Sequence, residues 1–475
     1  MIVAVPAIAL CAALWCAIPR SGRAAPLVTV AGSFVTFAIS GWILWSLRLG
    51  GTVVTAVGWI EMDSLGAVLL ALIAFVYFTA SLFSWGYLNA DDGRRLRQYH
   101  ANFNLFAFSM LSIPCLSELG LVWIFVELTT LLSVLLVSYE QTAEAVEAAW
   151  KYMVLTLIGA TVAVLGVLIL FWALHTAGST DFTWSGLRMH AAALPRPLVE
   201  VAFVLLLVGY GAKIGLVPLH AWLPDAHSQA PSPVCAMLSG VETTAVLYVI
   251  LRLRDVFASD PSLHVGIWFS VVGLTSVGVA SFLILQAHDY KRLFAFSTVE
   301  HMGLILTAAS IFTPAGDIAT VWQMLAHSLA KSLCFYAAGA VLVIAGTREI
   351  ANVRGLLAES PTTAGAFLFG ALAIGGAPPM VVFLSELAIL WSALQARLYA
   401  VAVLLTLFIV LAFFGLLWRV TTMIGGEHRL PGRRLPAACA LAIAVAAIPV
   451  IVFGVWLPGG IYDALRSAGQ ALGAL

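Results

Sequence analysis

The sequence has 475 residues, 62% hydrophobic and only 10% charged, with a mean hydropathy of +1.03. Soluble domains carry roughly 25% charged residues, so this composition excludes a soluble fold and describes a chain that crosses a membrane many times. The 23 basic and 23 acidic residues cancel, which gives no sign of a nucleic-acid partner or an acidic substrate.

The N-terminus, MIVAVPAIALCAALWCAIPR, has no basic leader and no A-x-A cleavage pattern, and reads as a first membrane helix. Apolar stretches of about 20 residues, enough to span a bilayer, are predicted near 2–18, 26–47, 64–89, 101–117, 119–138, 148–175, 197–227, 232–253, 264–287, 292–313, 317–345, 363–395, 398–422 and 436–457. The fold predicted is all-α and polytopic, with about 14 transmembrane helices in one transmembrane domain. Its parts are N-terminal helices over 1–100, a first repeat over 101–255, a second over 262–425, and a last helix with a short tail over 430–475. The tail, GGIYDALRSAGQALGAL, reads as an amphipathic surface helix.

Proline interrupts two of these spans. Pro218 and Pro224 break 197–227, and GGAPPMVVFLSELAIL breaks 363–395. Broken helices at matching places in two halves point to inverted repeats, here five-helix repeats made of spans 4–8 and 9–13. Loop cations set the orientation. Arg20, Arg23, Arg94, Arg95, Arg97, Lys291, Arg292, Arg348, Arg354, Arg429, Arg433 and Arg434 fall on one face. Arg48, Arg188, Arg196, Arg252, Arg254, Arg397 and Arg466 fall on the other, which predicts that both termini face outward.

An ionisable residue inside a membrane costs roughly 2.5–3.5 kcal/mol on insertion scales and is a functional hypothesis by default. Glu127 lies mid-span in LVWIFVELTTLLSVLL, and Lys213 lies just before the first break. His327 and Lys331 share one helix face at i, i+4, and Glu386 follows the second break. Only four of the 23 basic residues are Lys, and Lys is the cation that can release its proton when buried. The order acid, base, His and base, acid suits a lateral proton relay in which Glu127 pairs with Lys213. Backbone groups freed at the breaks would order bridging waters. The plain alternatives are a static Glu127–Lys213 ion pair and a core His327 bonded to a carbonyl.

Several further residues stay open. Lys151 belongs to the relay or snorkels to the interface. Glu300 and His301 feed the relay or fix helix packing. His220, Asp225 and His227 flank the first break as caps or as a proton inlet. Glu242 has no partner legible in the sequence. The six cysteines form no CxxC or Cys/His cluster, so no metal site or cofactor is expected in this chain. No nucleophile–base pattern or phosphate loop appears, so the chain is expected to hold no catalytic centre.

Four ordered motifs carry a resemblance: AKIGLVPLHAWLPDAHSQAPSPVCAMLSG, DYKRLFAFSTVEHMG, HSLAKSLCF and GGAPPMVVFLSE. Over roughly residues 60–425 the chain resembles the proton-conducting, antiporter-like subunits of complex I, Mrp antiporters and membrane-bound hydrogenases. STVEHMG and YEQTAEAVEAAWKY are most similar to the F-type subunit of hydrogenase-4 and formate-hydrogenlyase-like complexes. The resemblance implies that Glu127 is the fifth-helix glutamate and Lys213 the seventh-helix lysine. It makes Lys331, with His327, the central pair and Glu386 the twelfth-helix terminal residue. Where many relatives carry an eighth-helix His or Lys, this chain has Ser239 and Thr244 with Glu242 nearby, so the centre would be bridged by water or Glu242. The chain also stops soon after span 14, like the shorter members.

The implied function is proton translocation within a respiratory or hydrogenase-type oxidoreductase complex of a bacterial or archaeal plasma membrane. Partners would be other membrane subunits and a peripheral redox module, which would carry nickel–iron and iron–sulfur centres in a hydrogenase-type complex. The alternatives are an Mrp-type cation/proton antiporter subunit, a membrane subunit of an inorganic-carbon uptake complex (against which Ser239 counts), and a non-conducting scaffold.

Overall fold

The computed structural model describes residues 1–18, 22, 24–54, 58–88, 92–426 and 433–473. Arg20, Arg23 and Arg429, used above for orientation, lie outside the described residues. The chain begins with helices α1 (Ala4–Ala17) and α2 (Ala25–Leu47), followed by a short antiparallel pair, β1 (Thr52–Val54) and β2 (Glu61–Asp63). Next come α3 (Ser64–Tyr87), α4 (Gly93–Ser112), α5 (Leu119–Val137), α6 (Ala143–Thr176) and the short α7 (Trp184–His190). Helices α8 (Arg196–Ile214) and α9 (Trp222–Gln229) flank the first interruption. Helix α10 (Ser232–Met237) passes through a π turn, Leu238–Glu242, into α11 (Thr243–Ala258). Helices α12 (Val265–Gln286), α13 (Tyr290–Ala309), α14 (Pro314–Ala345) and the one-turn α15 (Leu356–Glu359) follow. Helices α16 (Pro361–Ile374) and α17 (Val381–Gln395) flank the second interruption, and α18 (Tyr399–Ile424), α19 (Ala437–Val455) and α20 (Gly459–Leu472) complete the chain.

Backbone groups in lipid must be satisfied within the segment, which makes helices the spanning element. Side chains at the helix starts satisfy the first free amides. Asp63 accepts from Gly66 N at 2.9 Å, Thr142 from Ala145 N at 3.1 Å, and Asp289 from Lys291 N at 2.7 Å. Among the described residues, ten helical segments are long and apolar enough to cross a membrane. Helices α1, α16 and α17 are apolar but shorter.

Helices α3, α14 and the α10–α11 segment are almost wholly buried and form the centre. Around them, α2, α5, α6, α12 and α18 turn apolar faces outward, with Leu131, Trp172, Phe282 and Phe414 among the exposed side chains. Two helix pairs approach closely at glycines. A Cβ on Gly159 would lie 2.8 Å from Gly209 O, between α6 and α8, and one on Gly303 would lie 2.6 Å from Gly273 O, between α13 and α12.

Both predicted interruptions are present. Helix α8 stops at Gly215, whose φ of +84° is left-handed, and helical structure resumes at Trp222. Helix α16 stops at Ile374, Gly376 has φ +74°, and α17 starts at Val381. The tail forms α20, which packs its small and apolar face on α3 and α14 while Arg188 donates to Ala471 O at 2.9 Å.

Two readings of the sequence need correction. Arg252 and Arg254 are not loop cations: α11 continues to Ala258, and both are buried in ion pairs with Asp63 and Asp317. Lys291 is likewise buried in the first turn of α13, donating to Ala230 O at 2.5 Å.

Candidate functional site

Helix α14 places three polar side chains on one face, since Gln323, His327 and Lys331 are each four residues apart. All three are fully buried. The Lys331 ammonium donates to Phe294 O at 2.6 Å and to Ser297 Oγ at 2.5 Å, both on α13. Among the described residues it has no ion-pair partner. His327 Nε2 lies 3.0 Å from Ser239 O in the π turn, a carbonyl that also accepts from Thr243 Oγ1 at 2.9 Å.

From His327 the polar line continues toward the second interruption. The His327 and His301 rings are 5.2 Å apart. His301 Nε2 lies 3.0 Å from Ile374 O, the last residue of α16, whose carbonyl is free because the helix stops there. Both Nε2 atoms face carbonyls, so in the neutral rings the proton sits there and Nδ1 is the acceptor, met by Gln323 at His301 and by no partner among the described residues at His327. Gln323 Nε2 donates to His301 Nδ1 at 3.0 Å, and Ser385 Oγ donates to Gln323 Oε1 at 2.5 Å. Ser385 precedes Glu386 on α17, and the buried Glu386 carboxylate rests against Gly376, where any side chain would displace it.

On the other side of the π turn, the Lys213 ammonium ends α8 beside Thr130 of α5, to which it donates. It lies 3.6 Å from Glu242 Oε1, and both residues are about 2% exposed. Glu242 Oε1 also accepts from Thr129 Oγ1 at 2.7 Å and Tyr152 OH at 3.2 Å, and Tyr152 meets Ser133 at 2.8 Å. The ion-pair partner of Lys213 is therefore Glu242. Glu127 was expected in that role; it is only half-buried, at the edge of the inward face of α5, and makes no ion pair among the described residues. Glu242 and Ser239 share the π turn, so one short segment touches both halves of the polar line.

The remaining candidates separate by position. Lys151 sits in a partly exposed network, 2.7 Å from Glu147 and 3.6 Å from Asp225, and Asp225 also pairs with Arg292 at 2.7 Å. His220 lies in the first interruption with a buried Nδ1 that has no partner among the described residues. His227 is fully buried, its Nδ1 2.8 Å from Leu223 O. Glu300 is buried on α13 beside His301, without an ion pair among the described residues. Ser239 Oγ bonds Thr298 Oγ1 at 2.6 Å and Thr244 Oγ1 donates to Gly240 O at 3.2 Å, so neither hydroxyl reaches Lys331. Sequence reasoning missed Gln323, Tyr152, Thr129, Thr130, Ser297 and Ser385. The four-residue spacing from Gln323 to His327 was a usable signal for the first.

Outside the membrane segments, one carboxylate is strongly held. Burial pushes the Asp63 carboxyl up, but the charge and hydrogen bonds of Arg252, with the Gly66 amide, outweigh it and hold Asp63 below its ordinary value.

Residues 117–414 match the family described as "NADH:quinone oxidoreductase/Mrp antiporter, TM". The chain is 37% identical over 378 residues to a hydrogenase-4 component F homolog of Methylacidiphilum infernorum, covering 78% of this chain and 79% of that protein. It is similar in structure to a chain of the membrane-bound sulfane sulfur reductase, an archaeal respiratory membrane complex. The TM-score is 0.88 at 25% identity, over 99% of this chain and 97% of the other. A chain of the Mrp complex from a Dietzia species has the same fold, with TM-score 0.89 at 23% identity over 99% and 96% of the two chains. These structural neighbours come from multi-subunit membrane complexes. The chain belongs to the NADH:quinone oxidoreductase/Mrp antiporter transmembrane family, the antiporter-like membrane subunits of complex I, Mrp and hydrogenase-type assemblies.

Proposed function

We propose that this chain is a proton-translocating membrane subunit of a hydrogenase-4-type or complex I-like oxidoreductase complex. The observation that carries the reading is the buried run of polar groups Lys213, Glu242, the π turn, His327, His301, Gln323, Ser385 and Glu386. In it the Lys213–Glu242 pair, the His327–Ser239 carbonyl contact and the His301–Gln323–Ser385 bonds are direct, while waters would span the His327–His301 and Ser385–Glu386 steps. Glu127 feeds one end from the edge of α5, and Glu386 closes the other. Lys331 stores the central proton, and waters complete the gap between Glu242 and His327. Protons pass between titratable groups positioned within hydrogen-bond reach, directly or through one water. Lys151, His220, Asp225 and Glu300 lie beside this line as access groups rather than members.

The proposal includes the finer layout: about fourteen spans in one domain, with inverted repeats formed by α4, α5, α6, α8–α9 and α10–α11, and by α12, α13, α14, α16–α17 and α18. The matching interruptions after Ile214 and Ile374 support it. Both termini face outward. Redox energy comes from partner subunits, with nickel–iron and iron–sulfur centres on a peripheral module.

A second reading, an Mrp-type cation/proton antiporter subunit, is favoured by the equally close fold of the Dietzia chain. Extraction of the native complex in mild detergent, followed by mass spectrometry of what accompanies the chain, separates the two. Nickel–iron and iron–sulfur subunits are expected. Small antiporter membrane subunits alone would replace the first reading with the second, and a chain isolated without partners would sink both.

A further inference from the structure

At one end of the bundle a cavity of about 1260 Å³ opens between the ends of α12, α14 and α18 and the start of α13. Five cations line it, Lys291, Arg292, Arg348, Arg354 and Arg419, against three carboxylates, Glu140, Asp289 and Glu349. The carboxylates do not neutralise the cations. Asp289 caps α13 and accepts from Ser228 Oγ at 2.6 Å, while Glu349 accepts from Asn352 Nδ2 at 2.6 Å. Glu140 makes no ion pair among the described residues. Arg292 turns to Asp225, at 2.7 Å, outside the cavity lining.

Among the described residues, the other four cations have only uncharged acceptors. Arg348 donates to Ser228 O at 2.7 Å and Gln229 Oε1 at 2.8 Å, and Lys291 to Ser228 O and Ala230 O. Arg354 reaches Thr422 O at 3.3 Å. Arg419 donates to Leu285 O, and its buried Nε has no partner among the described residues. Lys291 is buried and Arg348 and Arg419 are partly buried, with Arg354 exposed at the opening. Cations withdrawn from water need an anion, and guanidinium forks match phosphate oxygens in pairs. Arg419 also stacks on Trp418, 5.0 Å from the ring centroid. Trp418 is exposed on the outward side of α18, the setting of an aromatic belt residue at headgroup depth.

We propose that this cavity is a binding site for a phosphate-class anion, held by Arg348, Arg354 and Arg419 with Lys291 beneath. The exposed Trp418 at its rim and the apolar outer face of α18 suit a phospholipid whose head enters the cavity and whose chains lie along that helix. Basic pockets between membrane helices take such headgroups. The site is independent of the relay and stands whichever complex the chain serves.

The test uses the full chain in phosphatidylcholine nanodiscs, with and without added phosphatidylglycerol. Retained lipid is read by native mass spectrometry, and thermal midpoints are compared in phosphate and in chloride. Selective retention of phosphatidylglycerol is expected, with Arg354→Gln and Arg419→Gln each weakening it about five-fold. Arg354 is exposed, so its loss leaves the Arg419 bond and the fold intact. Arg466→Gln, exposed on α20 at the opposite end, controls for simple charge loss and is expected to change nothing. Stabilisation by inorganic phosphate without lipid preference, lost in the same two variants, would support the site with a soluble anion as its source. No preference for phosphatidylglycerol and no phosphate stabilisation, or variants that bind like the parent, would overturn the proposal.

Discussion

Glu242→Gln tests the pairing that organises the first half of the polar line. The carboxylate and the Lys213 ammonium are 3.6 Å apart and almost completely buried. At an effective dielectric of about 20, unit charges at that distance attract by about 4.6 kcal/mol. Removing one partner of a buried pair typically costs about 3–5 kcal/mol because the other charge is left uncompensated. Glutamine keeps an acceptor for Thr129 and Tyr152, so the loss falls on the charge rather than on packing. The expected outcome is destabilisation of about 3 kcal/mol, read as a lower thermal midpoint of the purified protein, together with loss of proton transport in vesicles. Glu127→Gln is the internal control. Glu127 is half-buried without an ion pair among the described residues, so its stability change is expected below about 1 kcal/mol while transport still falls. A larger stability loss for Glu127→Gln than for Glu242→Gln would refute the assignment.

Further outcomes follow from other parts of the molecule. Gln323→Leu removes the link between His301 and Ser385 while filling similar volume; transport measured in vesicles is expected to fall about tenfold with assembly on native gels unchanged. Asp63→Asn leaves Arg252 buried without its anion, and a stability loss of about 3–5 kcal/mol is expected in thermal unfolding. The parent's Asp63 sits below its ordinary value. Its stabilisation is therefore present above the unfolded value of about 3.9 and is lost as pH falls through the folded one. A midpoint-against-pH curve should lose that acid limb in the variant. Gly303→Val places a side chain against Gly273 O, 2.6 Å from the new Cβ; a loss of about 1–3 kcal/mol from overpacking is expected, checked by the thermal midpoint of the detergent-extracted protein.

The parts of the site legible in the sequence were those with local signals. Proline and glycine mark both interruptions, and the spacing of His327 and Lys331 puts them on one face whatever surrounds the helix. The pairing of Lys213 was not legible, because it depends on how α8, α5 and the π turn rotate against one another. Glu127 and Glu242 are both acids inside apolar runs, the resemblance favours Glu127, and only packing shows that Glu242 is the partner. Arg252 and Arg254 looked like loop charges because they follow an apolar run. Their partners, Asp63 and Asp317, lie 189 and 63 residues away. Helix α4 likewise begins at Gly93, through the charged stretch RRLRQ, because its first turns lie where polar side chains are tolerated.

The most direct measurement of the relay is proton transport by membrane vesicles holding the complex with Lys331→Ala. Lys331 has hydrogen bonds to Phe294 and Ser297 and no ion pair within 4 Å among the described residues. The buried Glu300 is the nearby carboxylate that feels its charge, so assembly on native gels is checked alongside transport and is expected to match the parent. Transport is expected to fall about a hundredfold. A variant that assembles normally and pumps at the parental rate would contradict the account.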